Sequence, residues 1–160
     1  MGGLDLFGCL WLFFVYSFFG WIAETCFCVL KYRKFMNRGM LNSPLCIVYG
    51  IAAVIITIGF PELFDEIPIL FLGCAGVSTL LEWFTAKILE KLDHKKWWDY
   101  SSKRWNLDGY ICLQYSIVWG ILGVLSVKFV TPVLMKLYHM VPSFMMQIAL
   151  WALLGVLIVD

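Results

Sequence analysis

Apolar runs of bilayer length dominate this chain, and they narrow its possible folds more than any motif does. One extends from about Leu6 to Leu30, another from about Ile67 to Leu89 and another from about Tyr110 to Val130, with shorter runs near 45–60 and 142–159. A bilayer core offers no water to exposed backbone groups, so such runs cross it as helices that bond internally. Composition agrees. Charged residues make up 14% of the chain and mean hydropathy is +0.85, whereas soluble domains carry roughly a quarter charged residues. The fold class expected is all-α: a polytopic membrane protein of about five transmembrane helices, with residues 1–160 forming a single membrane domain. A net charge of +1 argues against a nucleic-acid surface, which needs a clustered basic excess. The first run lacks a basic leader, carries Asp5 near its start and exceeds the length of a secretory core, so it is expected to stay as a span.

The loops set an orientation. Residues 31–44 contain Lys31, Arg33, Lys34 and Arg38 and no acid, and residues 90–109 contain Lys91, Lys95, Lys96, Lys103 and Arg104. Between them, the turn PELFDEIP at 61–68 has three acids and no base. The positive-inside rule makes loops 31–44 and 90–109 cytoplasmic and the acidic turn external. Five crossings of the plasma (inner) membrane then put the N-terminus outside and the C-terminus inside. A short link holding Lys136, Tyr138 and His139 is expected between the fourth and fifth spans.

The two halves resemble each other. Gly39 is followed eleven residues later by the Gly of IVYG, Gly50, and Gly109 eleven residues later by the Gly of IVWG, Gly120. Asn37 and Asn106 shortly precede the first Gly of each pair, and each unit opens with a span holding one acid, Glu24 or Glu82. The pattern suggests a tandem repeat of two-helix units, about 6–60 and 67–130. Because both units start on the same side, the repeats are parallel, about an axis along the membrane normal.

Glu24 and Glu82 are the residues most able to carry chemistry. A charged side chain near the middle of a span costs about 2.5–3.5 kcal/mol on insertion scales, so such groups face protein or water. Ser17, Gly20, Trp21 and Glu24 share one helix face, as do Ser78, Thr79, Glu82 and Thr85. One expectation is that the pair lines a polar cavity for a cation, a proton or a cationic group. The ordinary alternative is that each acid anchors the fold by pairing with Arg38 or Arg104. In the second basic loop, Asp99 with Ser101 or Ser102 is expected to cap a short helix, and Asn106, Asp108 and Gly109 read as turn chemistry. Trp97, Trp98, Tyr100 and Trp105 suit an interfacial aromatic belt, but that leaves the interleaved Asp and Asn residues unexplained. The six Cys lie in or beside apolar runs and read as small buried hydrophobes, with no disulfide and no metal expected. The chain has no GxxxxGK[ST], HExxH or GxSxG, and no cofactor is expected.

Several motifs occur together in one order: YSFFGWIAE, NRGML, IVYG, LEW, WWDYS, N-x-D-G, ICL and S-x-x-WG. In this the chain resembles the bacterial family of type IV ABC-transporter permeases over roughly Phe13 to Pro132. The resemblance implies a small multi-pass inner-membrane protein. Matching positions include Glu24, Asn37, Arg38, Gly39, Tyr49, Gly50, Glu82, Asp99, Tyr100, Ser101, Asn106, Gly109 and Gly120. The chain departs from the family pattern in having Ser43 before Pro44, and Tyr110 where an Arg usually follows the second loop's Gly, which weakens any anion site shared by the loops.

The function expected is a transport-related membrane subunit, with Glu24, Arg38, Asn37, Glu82, Asp99, Tyr100, Ser101 and Asn106 as candidate ligand-binding residues and the two basic loops closing the site. Lacking an ATP site, it would need an energising subunit in a hetero-complex, or a homodimer, besides membrane lipid. Two alternatives are a membrane-embedded enzyme on a lipid-like substrate, whose carboxylates would converge on one cleft, and a non-catalytic scaffold or accessory subunit whose polar loops pair internally.

Overall fold

A computed structural model describes residues 4–35, 37 and 42–160, with the backbone alone at 31 and 32. Arg38 and Gly39 lie outside the described residues. The described residues are 75% helical, which settles the all-α class. Helix α1 (Leu6–Tyr32) begins where the Asp5 carboxyl accepts the Gly8 N–H at 2.9 Å. It ends at Arg33, whose left-handed φ of 52° turns its N–H onto the Val29 carbonyl, the usual geometry of a C-terminal cap. Helix α2 (Ile47–Gly59) follows, then a single 3-10 turn at Pro61–Leu63 and helix α3 (Ile67–Asp93). A small antiparallel hairpin pairs β1 (Asn106–Leu107) with β2 (Ile111–Cys112), Asn106 opposite Cys112 and Leu107 opposite Ile111. Helices α4 (Leu113–Leu125), α5 (Thr131–Met140) and α6 (Ser143–Val159) complete the chain.

Three features differ from the sequence expectation. The backbone stays helical from Leu113 to Met140, where a span ending near Val130 and a link were expected. Pro132 lacks the N–H that would bond one turn back. A π-helical turn at Ser126–Val130 widens the helix there and accommodates the missing bond. Helix α3 runs past Leu89 to Asp93, where His94 caps it at φ 55°. The hairpin is the third difference. Asp108 and Gly109 both have positive φ, 53° and 75°, and the Tyr110 N–H closes onto the Leu107 carbonyl at 3.0 Å, a type I′ turn of the Asp-Gly kind.

The chain divides into two compact units, Met1–Val54 with Val130–Asp160, and Ile55–Phe129. In the first, α1 packs against α5 and α6. Leu12, Tyr16 and Leu134 form one buried cluster, and Phe14, Met146 and Leu150 another. Polar contacts fix the antiparallel α1–α5 register. Tyr16 Oη lies 2.8 Å from Thr131 Oγ1, the Trp11 indole N–H donates to the Leu134 carbonyl at 3.0 Å, and Tyr138 Oη donates to Asp5 at 3.2 Å. In the second unit, α3 and α4 enclose Leu70, Cys74 and Val127 with Ile56. The first unit thus also takes in α5 and α6.

Leu6–Leu30, Ile67–Asp93 and Leu113–Met140 are long and apolar enough to cross a bilayer, and their apolar windows are at most 28% buried within the protein. Leu72, Phe129 and Phe144 are each about two-thirds exposed or more. Exposed apolar surface on that scale is stable in contact with lipid rather than water. The molecule is a membrane protein. Ile47–Gly59 and Ser143–Val159 are shorter apolar helices.

Candidate functional site

Each of the two units holds one of the two intramembrane acids, and each acid is half-buried. In the first unit, Tyr49 Oη donates to Glu24 Oε1 at 2.7 Å. The contact requires α2 to lie very close to α1. Tyr49 stacks directly over Gly20, and the next residue, Gly50, sits against the Phe13 carbonyl and the Ser17 hydroxyl. A Cβ at Gly50 would collide with backbone, so the Gly sets how near the helices come, as small residues do between membrane helices. The Cys46 N–H, at the foot of α2, donates to the Ser17 carbonyl at 2.9 Å. Ser17 Oγ and Thr25 Oγ1 are buried without a hydrogen-bond partner among the described residues. Ser17 stands two turns before Glu24 on the same face of α1, and Thr25, the next residue after Glu24, points about 100° away from it.

In the second unit, Glu82 receives two donors. Tyr100 Oη lies 3.0 Å from Oε1 and the Trp119 indole N–H 3.3 Å from Oε2. Here too a Gly follows the aromatic residue. A Cβ on Gly120 would meet the Phe71 ring at 2.6 Å and Ala75 at 3.0 Å. The two helix pairs share a register: Phe13 and Phe71 each stand eleven residues before their Glu, and Ser17 and Ala75 each seven. Thr79 Oγ1 donates to Ser116 Oγ at 2.8 Å, and Ser116 Oγ donates to the Cys112 carbonyl at 3.2 Å, so the hydroxyls beside Glu82 are engaged.

The second basic loop folds largely onto itself. The Asp99 carboxyl accepts both the N–H and the hydroxyl of Ser101, at 2.9 and 2.6 Å. These bonds hold Asp99 below the usual carboxylate range. The motif is a local Asx turn, not the cap of a short helix. Asn106 donates to the Lys103 carbonyl at 2.7 Å and accepts from the Gly109 N–H at 3.1 Å. Trp98 donates to the Tyr110 carbonyl, and Lys96 Nζ to the Asp108 carbonyl. Tyr100 stacks on Tyr115 with centroids 4.7 Å apart, and burial, then the neighbouring Glu82, push its phenol pKa up. Gly109, buried at the turn with φ 75°, has no room for a Cβ beside Asp99 and Ser101.

Of the sequence-predicted residues, Glu82 and Tyr100 come into direct contact, as do Asp99 and Ser101, and Asn106 belongs to the same folded loop. Asn37 is exposed and accepts from the Trp21 indole N–H at 2.7 Å, one turn of α1 from Glu24. Arg38 lies outside the described residues. Arg104 is exposed and pairs with neither acid. Sequence reasoning missed Tyr49 and Trp119 as the partners of the acids. The signal was present: both occupy the third position of the IV-aromatic-Gly motif that revealed the internal likeness.

The family described as "Putative ABC-transporter type IV" matches residues 11–160 of the chain. No curated protein and no solved structure matches it.

Proposed function

We propose, on the premise that the chain belongs to that type IV ABC-transporter family, that it is the membrane subunit of a transport complex whose two intramembrane acids bind the transported ion or a cationic group of the solute. The observation that carries this is the matched pair of devices. In each helix pair an aromatic donor and an adjacent Gly stand in the same register to one Glu. Structural packing alone needs the Gly, but it does not need an acid below it twice. An ionisable group kept in a span at free-energy cost marks a solute or ion path by default. We read the two helix pairs as a duplicated module, with Glu24 and Glu82 at equivalent positions.

The orientation follows from the loops and is supported by contacts inside the first unit. The Ser43 N–H donates to Asp160 Oδ2 at 2.8 Å, and Tyr138 donates to Asp5. The first contact puts the end of α6 beside the start of α2, and the second puts the start of α1 beside the end of α5. Both agree with five alternating crossings, basic loops 31–44 and 90–109 on the cytoplasmic side of the inner membrane. With no ATP-binding motif, the energy for transport comes from a partner subunit, and the cytoplasmic loops are where that subunit docks.

The test is ligand-dependent thermal stability in nanodiscs, screened over alkali and small organic ammonium cations. A bound cation at about 100 times its Kd stabilises the folded state by roughly 2.7 kcal/mol. Glu24→Gln and Glu82→Gln are expected to lose part of that response while their cation-free melting temperatures stay near wild type. An unchanged response in both single variants removes the proposal.

One observation favours a second reading, a scaffold or accessory subunit. Asp99, Ser101 and Asn106 are satisfied within their own loop. These three residues then act as the framework that places Tyr100 on Glu82, and do not contact solute.

A further inference from the structure

The hairpin beyond this framework has a feature that the acidic sites do not use. Trp105 sits at φ 58°, a region that bulky L side chains rarely enter. The residue is nevertheless 76% exposed: the Leu113 N–H on its carbonyl at 3.0 Å holds the backbone, while the side chain faces outward. Strained positions of this kind cluster where a chain meets a ligand. Leu107 and Leu113 are also more than half exposed. Between these side chains lies an open groove of about 360 Å³, lined by Trp105, Leu107, Ile111 and Leu113 with Asn106 and Ser116 as its polar residues. That volume is at the small end of the roughly 300–1,000 Å³ of ligand sites.

Charge decides the occupant. Lys103 and Arg104 immediately precede Trp105 and are exposed. Among the described residues, neither side chain has a hydrogen-bond or ion-pair partner. The acids of the same loop are mostly engaged: Glu90 accepts from Tyr110, Asp93 from Trp97 and Asp99 from Ser101, leaving Asp108 at the turn. An apolar groove whose first lining residue directly follows two exposed cations in the chain, one of them a guanidinium fork, matches a molecule with an acyl end and a phosphate end.

We infer that the hairpin binds an anionic phospholipid, its glycerol and upper acyl segment in the groove against Trp105, Leu107 and Leu113, and its phosphate on Lys103 and Arg104. The site needs only the membrane setting and the basic loop, not the acid pair. A zwitterionic headgroup brings its own cation beside these two, so it binds less well. Each Lys or Arg near an anionic surface is worth about a fivefold change in affinity, so the pair together gives roughly a 25-fold preference.

The test is native mass spectrometry of the full chain in neutral detergent, titrated with phosphatidylglycerol or phosphatidylcholine of identical acyl chains. Wild type is expected to bind phosphatidylglycerol about 25-fold more tightly. K103Q/R104Q brings phosphatidylglycerol down to the level of phosphatidylcholine, which loses much less, and the residual groove binding of both lipids reports an intact fold. Trp105→Gly, which takes the same backbone region without strain, weakens both lipids alike and preserves their ratio. K91Q/K95Q removes the same charge at the end of α3 and just beyond it, and leaves both affinities as they were. Equal affinities for the two lipids in wild type overturn the inference. So does an equal loss in K91Q/K95Q and K103Q/R104Q, which means diffuse attraction, or full displacement of phosphatidylglycerol by inorganic phosphate, which means a phosphate site without a lipid groove.

Discussion

Glu24 and Glu82 stand in the same register of two similar helix pairs, yet their surroundings differ. Among the described residues, Glu24 has one hydrogen-bond donor, Tyr49, and its α1 face carries one buried hydroxyl without a partner, Ser17. Glu82 has donors on both oxygens, one from α4 and one from the folded loop, and the hydroxyls next to it are paired with each other. The first acid has one described donor on one oxygen, and the second has donors on both. The lesson is that a shared backbone device does not imply a shared role. The longer loop, 94–112, supplies Tyr100 to one site, and no described residue of the shorter loop supplies an equivalent to the other.

The largest effect is expected where the helices touch. Gly50→Ala drives a methyl into the Phe13 carbonyl, which cannot move without bending α1, whereas Gly120→Ala meets a Phe71 ring and the Ala75 methyl, which can shift. Overpacking typically costs about 1–3 kcal/mol, and Gly50→Ala is placed near 3 and Gly120→Ala near 1. Thermal or denaturant unfolding of the two variants in one detergent checks this. Equal losses would mean that the two contacts are not as differently constrained as their geometry says.

Smaller and more specific is the removal of one donor from each acid. Hydrogen bonds between membrane helices average about 0.6 kcal/mol and reach about 1.7. Tyr49→Phe takes from Glu24 its single described donor and belongs near the upper value. Tyr100→Phe leaves Glu82 with Trp119 and belongs near the average or below. Unfolding free energies measured side by side test the order. A larger cost for Tyr100→Phe would show that the loop, and not the helix pair, is what holds Glu82.

Much of this was legible in the chain. Apolar run lengths gave the helical class, and the limits of α2 and α6 fall within a few residues of those expected, because their ends coincide with composition changes at Pro44, Pro61 and Pro142. The paired Ile-Val-aromatic-Gly motifs mark the positions of Tyr49 and Trp119, the aromatic donors to the two acids. What stayed hidden depends on groups far apart in sequence. Nothing local says that Tyr49 reaches back 25 residues to Glu24, or that Tyr100 reaches Glu82 rather than facing the interface with its Trp neighbours. Pro132 reads as a stop signal, and only the π turn before it explains why the helix continues. The Asp108-Gly109 pair was recognised as a turn, but its positive φ values and two-residue strands require the Asn106–Cys112 pairing to be seen.

The account rests on Glu24 and Glu82 being unequal binding groups for one class of cation. Isothermal titration of the nanodisc-embedded protein, with the cation that most raises its melting temperature, tests this most directly. Two sites of unequal affinity are predicted, the tighter one lost in Glu24→Gln, the weaker one lost in Glu82→Gln, and both absent in the double variant. A double variant that still binds the cation as wild type does would contradict it.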